Sequence, residues 1–205
     1  FDEERYFARG DLIRAFDTRC GRCALLICED LWHPSTVYLA ALDGALGVLC
    51  PSSSPLRGIT EAESQDDNAR YWEMINRMYA ETFGLFIIYG NRTGFEDGVG
   101  FWGGSEILDP FGQRIAKARY YEEEFIAGEI NLETVRRKRS MSPLLRDEDL
   151  DLTINELMRI RARPAADKIP GLKSSNAPKF ARSKAQKFKS SKAQKFKNSK
   201  VKKTR

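Results

Sequence analysis

Cys28 is the residue whose setting suits covalent chemistry. It lies in Ile27-Cys28-Glu29-Asp30-Leu31-Trp32-His33-Pro34, at the end of an apolar run over 22–27. A cysteine where an apolar strand gives way to polar residues sits where the chain bends. The bend can present the sulfur to a cleft and leave the following backbone N–H groups free. A thiolate there can attack a carbonyl or nitrile carbon while those N–H groups hold the developing oxyanion. The same pattern fits an inert cysteine buried at a strand end, and the residues alone leave both readings open.

The neighbours divide in the same way. Glu29 can donate its backbone N–H to an oxyanion, and Asp30 can brace the loop or join the site. Trp32 reads as a pocket wall or as a plain core aromatic. His33, the only histidine, could serve Cys28 as a base only if the turn folded it back, so a loop histidine before Pro34 is the simpler reading. Cys20-Gly21-Arg22-Cys23 has the spacing of a redox pair, but it precedes a strand instead of opening a helix. With one histidine and no second cysteine pair, neither zinc nor redox work gains support. Cys50 reads as a core residue, and the acids at 61, 63, 66 and 67 have no spacing that demands a metal, so no metal and no cofactor are expected.

The elements needed to position Cys28 follow from the apolar pattern. Runs at 22–27, 45–50 and 85–90 read as buried strands. A helix over 35–43, with Ser35 as a possible cap, and a longer one over about 66–83 fall between them. This alternation predicts an α/β fold, and right-handed crossovers would bring residues 28 and 51 to one edge of the sheet, where sites collect. Residues 104–117 read as a hairpin turning at Asp109-Pro110-Phe111-Gly112, and 124–130 as a further strand. Asn131 would then cap a short helix, and another helix is expected at about 153–162. Arg92 and the loop 94–98 should follow a strand, able to reach a substrate or a subunit partner.

Charge separates the body from the tail. The chain has 205 residues and a formal net charge of +5, yet residues 1–163 hold 20 Lys/Arg against 28 Asp/Glu. Residues 164–205 hold 14 Lys/Arg against one acid and repeat Ser-Lys-Ala-Gln-Lys-Phe-Lys at 183–189 and 191–197. Too few apolar groups occur there to offset the entropy of ordering, so a disordered tail from 164 to 205 is expected after a domain over 1–163. Phenylalanines interleaved with lysines allow phosphate contact, but the tail has no recognition pattern for nucleic acid, and an altered reading frame or an appended artificial end would explain it equally. No apolar run is long enough to cross a bilayer. Four dispersed cysteines suit free thiols in the cytoplasm. The chain opens in mid-pattern without an initiator Met, which predicts a missing N-terminal portion.

In order and spacing, several pieces resemble the C-terminal half of the nitrilase, or carbon–nitrogen hydrolase, superfamily. They are Phe1-Asp2-Glu3-Glu4-Arg5-Tyr6-Phe7 with Gly10-Asp11, the segment around Cys28 and Pro51-Ser52-Ser53-Ser54-Pro55. Tyr89-Gly90-Asn91-Arg92-Thr93-Gly94 and Gly103-Gly104-Ser105-Glu106-Ile107-Leu108-Asp109-Pro110-Phe111-Gly112 complete the set. The Cys-Glu-Asp-Leu-Trp version is most similar to amidases and to the glutaminase domains of NAD synthetases. The resemblance implies a four-layer α-β-β-α sandwich, here N-terminally incomplete with a basic C-terminal tail. It implies hydrolysis of a non-peptide amide, carbamoyl amine or nitrile through a Glu–Lys–Cys triad and a cysteine thioester. Position by position, Cys28 matches the nucleophile and Glu3 a further glutamate that orients substrate. Glu29, Asp30, Trp32 and Ser52 fall among the substrate or oxyanion contacts. The base Glu and the Lys would lie ahead of Phe1, so the 205-residue chain should be a poor catalyst by itself. A small-molecule amide is the expected partner, in a homodimer or larger homo-oligomer. A synthetase supplied with ammonia and a non-catalytic homologue are the alternatives. No ATP-binding motif appears downstream, which favours a free-standing amidase.

Overall fold

The computed structural model describes residues 5–8, 10–56 and 67–163. Short apolar runs pair there into a mixed sheet of six strands: β1 (Ala15–Thr18), β2 (Gly21–Leu25), β3 (Gly47–Ser52), β4 (Phe86–Asn91), β7 (Glu106–Leu108) and β8 (Arg114–Lys117), in that spatial order. β2, β3 and β4 run parallel, and the outer pairs are antiparallel. A separate two-stranded ribbon, β5 (Thr93–Glu96) with β6 (Val99–Trp102), follows β4. The architecture is therefore mixed α/β with two sheets and accompanying helices.

Parallel neighbours need a crossover, and a helix supplies each one. α1 (Pro34–Leu42) joins β2 to β3, and α2 (Asp67–Phe83) lies between β3 and β4. Pro34 opens α1 at a position where its missing N–H costs nothing. Both helices end at a glycine with positive φ, Gly44 at 89° and Gly84 at 56°, as a left-handed terminus requires. The helices bury one face of the sheet. Along the strands Ala24, Val48, Cys50, Ile87, Tyr89 and Leu108 point to that face and are buried. α2 answers with Trp72, Ile75, Tyr79 and Phe83 at helical spacing. Truncating a buried aromatic such as Trp72 would cost about 4 kcal/mol. On the opposite face Leu25 remains 50% exposed, while Leu49, Ile88 and Ile107 are half-buried.

The end of the sheet where the parallel strands begin is closed by α3 (Glu133–Met141). Its Arg139 donates to the Phe83 carbonyl at 3.2 Å and the Ala45 carbonyl at 2.7 Å. A cavity of about 240 Å³ lies beside it, lined by Ala41, Leu42, Pro143, Leu145 and Arg146 together with Arg139. Residues from Asp149 onward form a second unit. Its described part is α4 (Leu150–Arg161), capped by the Asp149 carboxylate, which accepts the Leu152 N–H at 2.9 Å. No helix among the described residues is long and apolar enough to cross a membrane.

Two expectations change, and one strand was not foreseen. The strand expected over 124–130 is absent, because the segment runs across side chains instead of along an edge. A Cβ on Gly128 would sit 2.5 Å from Ile115 Cγ2, and Phe125 is 92% exposed. β1 appears where only Ala15 is buried; it is tied in by Asp43, whose carboxylate accepts the Ala15 N–H at 2.7 Å. The loop after β4 is the β5–β6 hairpin, turned by Asp97 and Gly98, both at positive φ. The hairpin at 104–117 and the helices near 35–43, 66–83 and 153–162 are present within a few residues. Asn131 does serve the start of α3, since its side chain accepts the Glu133 N–H at 3.0 Å. The tail over 164–205 lies outside the described residues.

Candidate active site

After β2 the chain adds one more sheet bond, from the Leu26 N–H to the Leu49 carbonyl at 3.0 Å. It then turns sharply. Cys28 has φ of 45°, in the left-handed region, which costs a non-glycine residue about 1–2 kcal/mol. A tight 3-10 turn follows over Cys28–Trp32 and leads directly into α1. The turn is held on both sides. The Asp30 carboxylate accepts the Ile27 N–H at 2.8 Å, and the Asp30 N–H returns to the Ile27 carbonyl at 2.9 Å. Thr36 Oγ1 donates to the Asp30 carbonyl at 2.5 Å, and Leu31 is fully buried. A strained strand-to-helix turn of this kind lifts a side chain above the sheet edge, and Cys28 is accordingly half-buried.

The parallel pairing of β2 with β3 brings the end of β3 alongside. Ser52 Oγ donates to Cys28 Sγ at 3.2 Å, and the Tyr89 hydroxyl lies 3.5 Å from Ser52 Oγ. Residue 52 therefore meets residue 28 at one edge, as the crossover rule requires. Two residues earlier on β3, Cys50 is buried, and burial pushes its thiol up to about 12, against the opposing effect of the Cys28 backbone N–H. Burial also pushes the Tyr89 phenol well above its ordinary value, although its bond to Ser52 acts the other way.

Aromatic rings line the space beyond. Trp32 meets Tyr71 at 4.5 Å and Trp72 at 5.8 Å, Trp72 stacks on Tyr89 at 4.8 Å, and Tyr89 faces Trp102 at 6.0 Å. The serine loop is pinned to this column. Trp72 Nε1 donates to Ser54 Oγ at 2.8 Å, Asn68 Nδ2 donates to the same oxygen at 2.9 Å, and the Ser54 N–H reaches Asn91 Oδ1 at 2.9 Å.

Beside Tyr89 lies an ionic cluster that the sequence reading missed. Glu106 is 1% exposed; it accepts from Asn76 Nδ2 at 2.9 Å and faces Arg114 Nε at 3.3 Å and Lys117 Nζ at 3.5 Å. Lys117 also holds Glu73 at 2.7 Å, and Tyr120 bonds Glu73 as well. Burial pushes the Glu73 carboxyl up, but the hydrogen bonds from Lys117 and Tyr120 and the charges of Lys117 and Arg114 outweigh it and hold it below the ordinary value. The signal was available: Glu106 alternates with Leu108 on a strand, so both had to face the core.

The remaining candidates are placed as follows. Glu29 is exposed, and its carboxylate lies 4.0 Å from His33 Nε2. Asp30 spends its carboxylate on the turn, and Trp32 stands in the aromatic column. Arg92 pairs with Glu96 at 2.5 Å and lies 4.7 Å over the Phe101 ring, within the ribbon. Cys20, Cys23, Cys28 and Cys50 are free thiols. Glu3 lies outside the described residues. Among the described residues no three His, Cys, Asp or Glu side chains gather as a metal site.

The carbon-nitrogen hydrolase family model matches residues 1–140. The glutamine-dependent NAD(+) synthetase of Aquifex aeolicus is 30% identical over 140 residues, which are 68% of this chain and 23% of the synthetase. The N-carbamoylputrescine amidase of Solanum lycopersicum is 27% identical over 164 residues, 74% of this chain and 53% of the amidase. The crystal structure of a carbon-nitrogen hydrolase from Helicobacter pylori G27 superposes with a TM-score of 0.70 at 33% identity, over 76% of this chain and 56% of that one. The chain thus spans about half the length of the amidase and about a quarter of the synthetase.

Proposed function

This chain belongs to the carbon–nitrogen hydrolase family, within the nitrilase superfamily and related to its amidase and glutaminase-type members, and on that premise we propose that it forms the cysteine-bearing part of a thiol amidohydrolase. The observation that carries this reading is Cys28 itself: a half-buried sulfur on a left-handed turn, 3.2 Å from a hydroxyl donor.

In the proposed reaction the Cys28 thiolate attacks the carbonyl carbon of a non-peptide amide, and the carbonyl π electrons move onto oxygen. The backbone N–H of Glu29, near the start of the turn, stabilises that oxyanion, while the flanking N–H groups of Cys28 and Asp30 serve Cys50 and Ile27. Collapse breaks the carbon–nitrogen bond. The nitrogen leaves as ammonia with the proton that came from the thiol, and the acyl group remains as a Cys28 thioester. Water then adds to the thioester, releasing the carboxylate and restoring the thiol. The proton carriers that the family uses, a Glu and a Lys, would come from residues ahead of Phe1, and Glu3 would orient the substrate. Residues ahead of Phe1 would also complete a four-layer sandwich by covering the sheet face that carries Leu25 and Leu49. Trp32, in the aromatic column, would form one wall of the pocket. A homodimer or larger homo-oligomer in the cytoplasm is part of the same proposal.

The similarity to a glutamine-dependent synthetase favours a second reading, in which the amide is that of glutamine and the ammonia serves another reaction. Both readings meet one experiment. The intact polypeptide is incubated with glutamine, an N-carbamoyl amine or a simple aliphatic amide, quenched in acid and weighed by mass spectrometry. An acyl adduct on the peptide that contains Cys28, absent from Cys28→Ala, is the expected result. Turnover that survives Cys28→Ala overturns the proposal.

A further inference from the structure

Two hydroxyl groups reach the sulfur in series. Ser52 Oγ donates to Cys28 Sγ at 3.2 Å, and the Tyr89 hydroxyl donates to Ser52 Oγ at 3.5 Å. Tyr89 cannot swing away: it is 1% exposed and packed between Trp72 at 4.8 Å and Trp102 at 6.0 Å. Ser52 is held in the β3–β4 ladder opposite Asn91. A serine hydroxyl has one proton and two acceptor sites. With Tyr89 as the donor of that pair, Ser52 does not spend its proton on the phenol oxygen and directs it at the sulfur 3.2 Å away. A hydrogen bond to an ionised acceptor is roughly twice as strong as one to a neutral acceptor, so this donor favours the thiolate over the thiol.

We propose that Ser52 and Tyr89 form a donor chain that holds Cys28 Sγ in place and favours its reactive form, with both acting as positioning residues through the sulfur. The proposal rests on Cys28 as the nucleophile and gives Ser52 a role toward the sulfur instead of toward the substrate. Among the described residues, Cys50 on β3 is the further titratable group that interacts with Cys28, and Asp30 lies two residues on in the same turn. Cys50 is kept protonated by burial, with its thiol at about 12, and Asp30 is engaged by the Ile27 N–H. Tyr89 stays neutral because burial raises its phenol, so it remains a donor across the working range.

The test is the alkylation rate of Cys28 by iodoacetamide in the full 205-residue chain. Peptide mass spectrometry reads Cys20, Cys23 and Cys50 separately, and circular dichroism checks each variant for folding. Ser52→Ala is expected to slow Cys28 about tenfold near neutral pH, and by less than about twofold near pH 10, where thiols are ionised regardless. Tyr89→Phe should give a loss of about threefold with the same pH pattern, and Ser52→Thr should keep most of the rate. The double variant should match Ser52→Ala, since Tyr89 acts only through Ser52. Equal slowing at both pH values, an unchanged neutral rate in Ser52→Ala, or additive losses in the double variant would each overturn the donor chain. Alkylation needs no turnover, so the result stands apart from the hydrolase reading. A pH-selective loss in Ser52→Ala combined with full amide turnover in Cys28→Ala would uphold the chain and sink the hydrolase.

Discussion

Cys28 and Cys50 stand on adjoining elements of the same sheet, and the backbone makes them different. Cys50 is inside β3 with ordinary extended geometry, buried, its thiol driven up to about 12. Cys28 lies beyond the end of β2 at positive φ, half-buried, with a hydroxyl pointed at its sulfur. The residue type is the same and the neighbourhood overlaps. What separates them is whether the chain has left the ladder. A strand buries its side chains by alternation, whereas a strained turn lifts one side chain clear.

That contrast can be broken in four ways. The largest expected effect is on turnover by the intact polypeptide: Cys28→Ala should lower it by about 10³-fold or more, and Cys50→Ala by less than about threefold. Parallel losses would show that the turn confers nothing. Next comes alkylation of the unmodified chain near neutral pH, where Cys28 should react at least about 100-fold faster than Cys50, whose buried thiol is almost wholly protonated. Equal labelling would mean that the strand does not seal Cys50.

The third effect is on stability against pH. Burial raises the Cys50 thiol on folding, from its ordinary value of 9.0 to about 12. Its contribution is therefore present in full below 9.0 and is lost as pH rises through about 12, with a slope of up to about 1.4 kcal/mol per pH unit. Urea titrations across that window should show a shallower loss in Cys50→Ala; an unchanged slope would place the alkaline sensitivity elsewhere. The smallest effect concerns the backbone. Cys28→Gly should shift stability by no more than about 0.5 kcal/mol, because relief of the left-handed strain offsets lost packing, while Cys50→Gly should cost about 2 kcal/mol. Thermal or urea unfolding of the two variants reads the difference directly, and a larger loss at Cys28 would remove the strain from the account.

The parts of the fold legible in the sequence are those whose burial writes a pattern. The three parallel strands are continuous apolar runs, and α2 repeats its large residues every three or four positions. From these alone residues 28 and 51 fall at one edge, and Ser52 is found 3.2 Å from Cys28. β1 wrote no pattern, because three of its four side chains are exposed and it is held through its backbone, by the ladder with β2 and the Asp43 carboxylate. Residues 124–130 wrote a misleading one: Phe125 and Ile130 are exposed, Gly128 crosses the Ile115 side chain, where a Cβ would not fit, and none of the segment joins a ladder. The β5–β6 hairpin has its sign in Asp97-Gly98, a dipeptide that supplies two positive φ angles, but a Gly-flanked charged segment also fits an open loop. The ionic cluster around Glu106 is a different kind of miss. Charge normally signals solvent, and only the alternation with Leu108 reveals an inward acid. Its partners Arg114, Lys117 and Asn76 come from other elements and cannot be inferred from local spacing. The hydroxyl pair at Cys28 was half legible: Ser52 is among the residues the resemblance singles out, while nothing in the strand run 85–90 sets Tyr89 apart.

Arg139, at the opposite end of the sheet, carries a further consequence. Its guanidinium is tied to the Phe83 and Ala45 carbonyls, groups that carry dipoles and no net charge. Dissolved ions screen exposed pairs such as Arg22 with Asp17, 3.2 Å apart, far more than short, partly buried bonds to carbonyls. Brine should therefore loosen the Arg22–Asp17 pair first and leave the α3 clamp in place, so that halide tolerance differs between two arginines at the same end of the sheet.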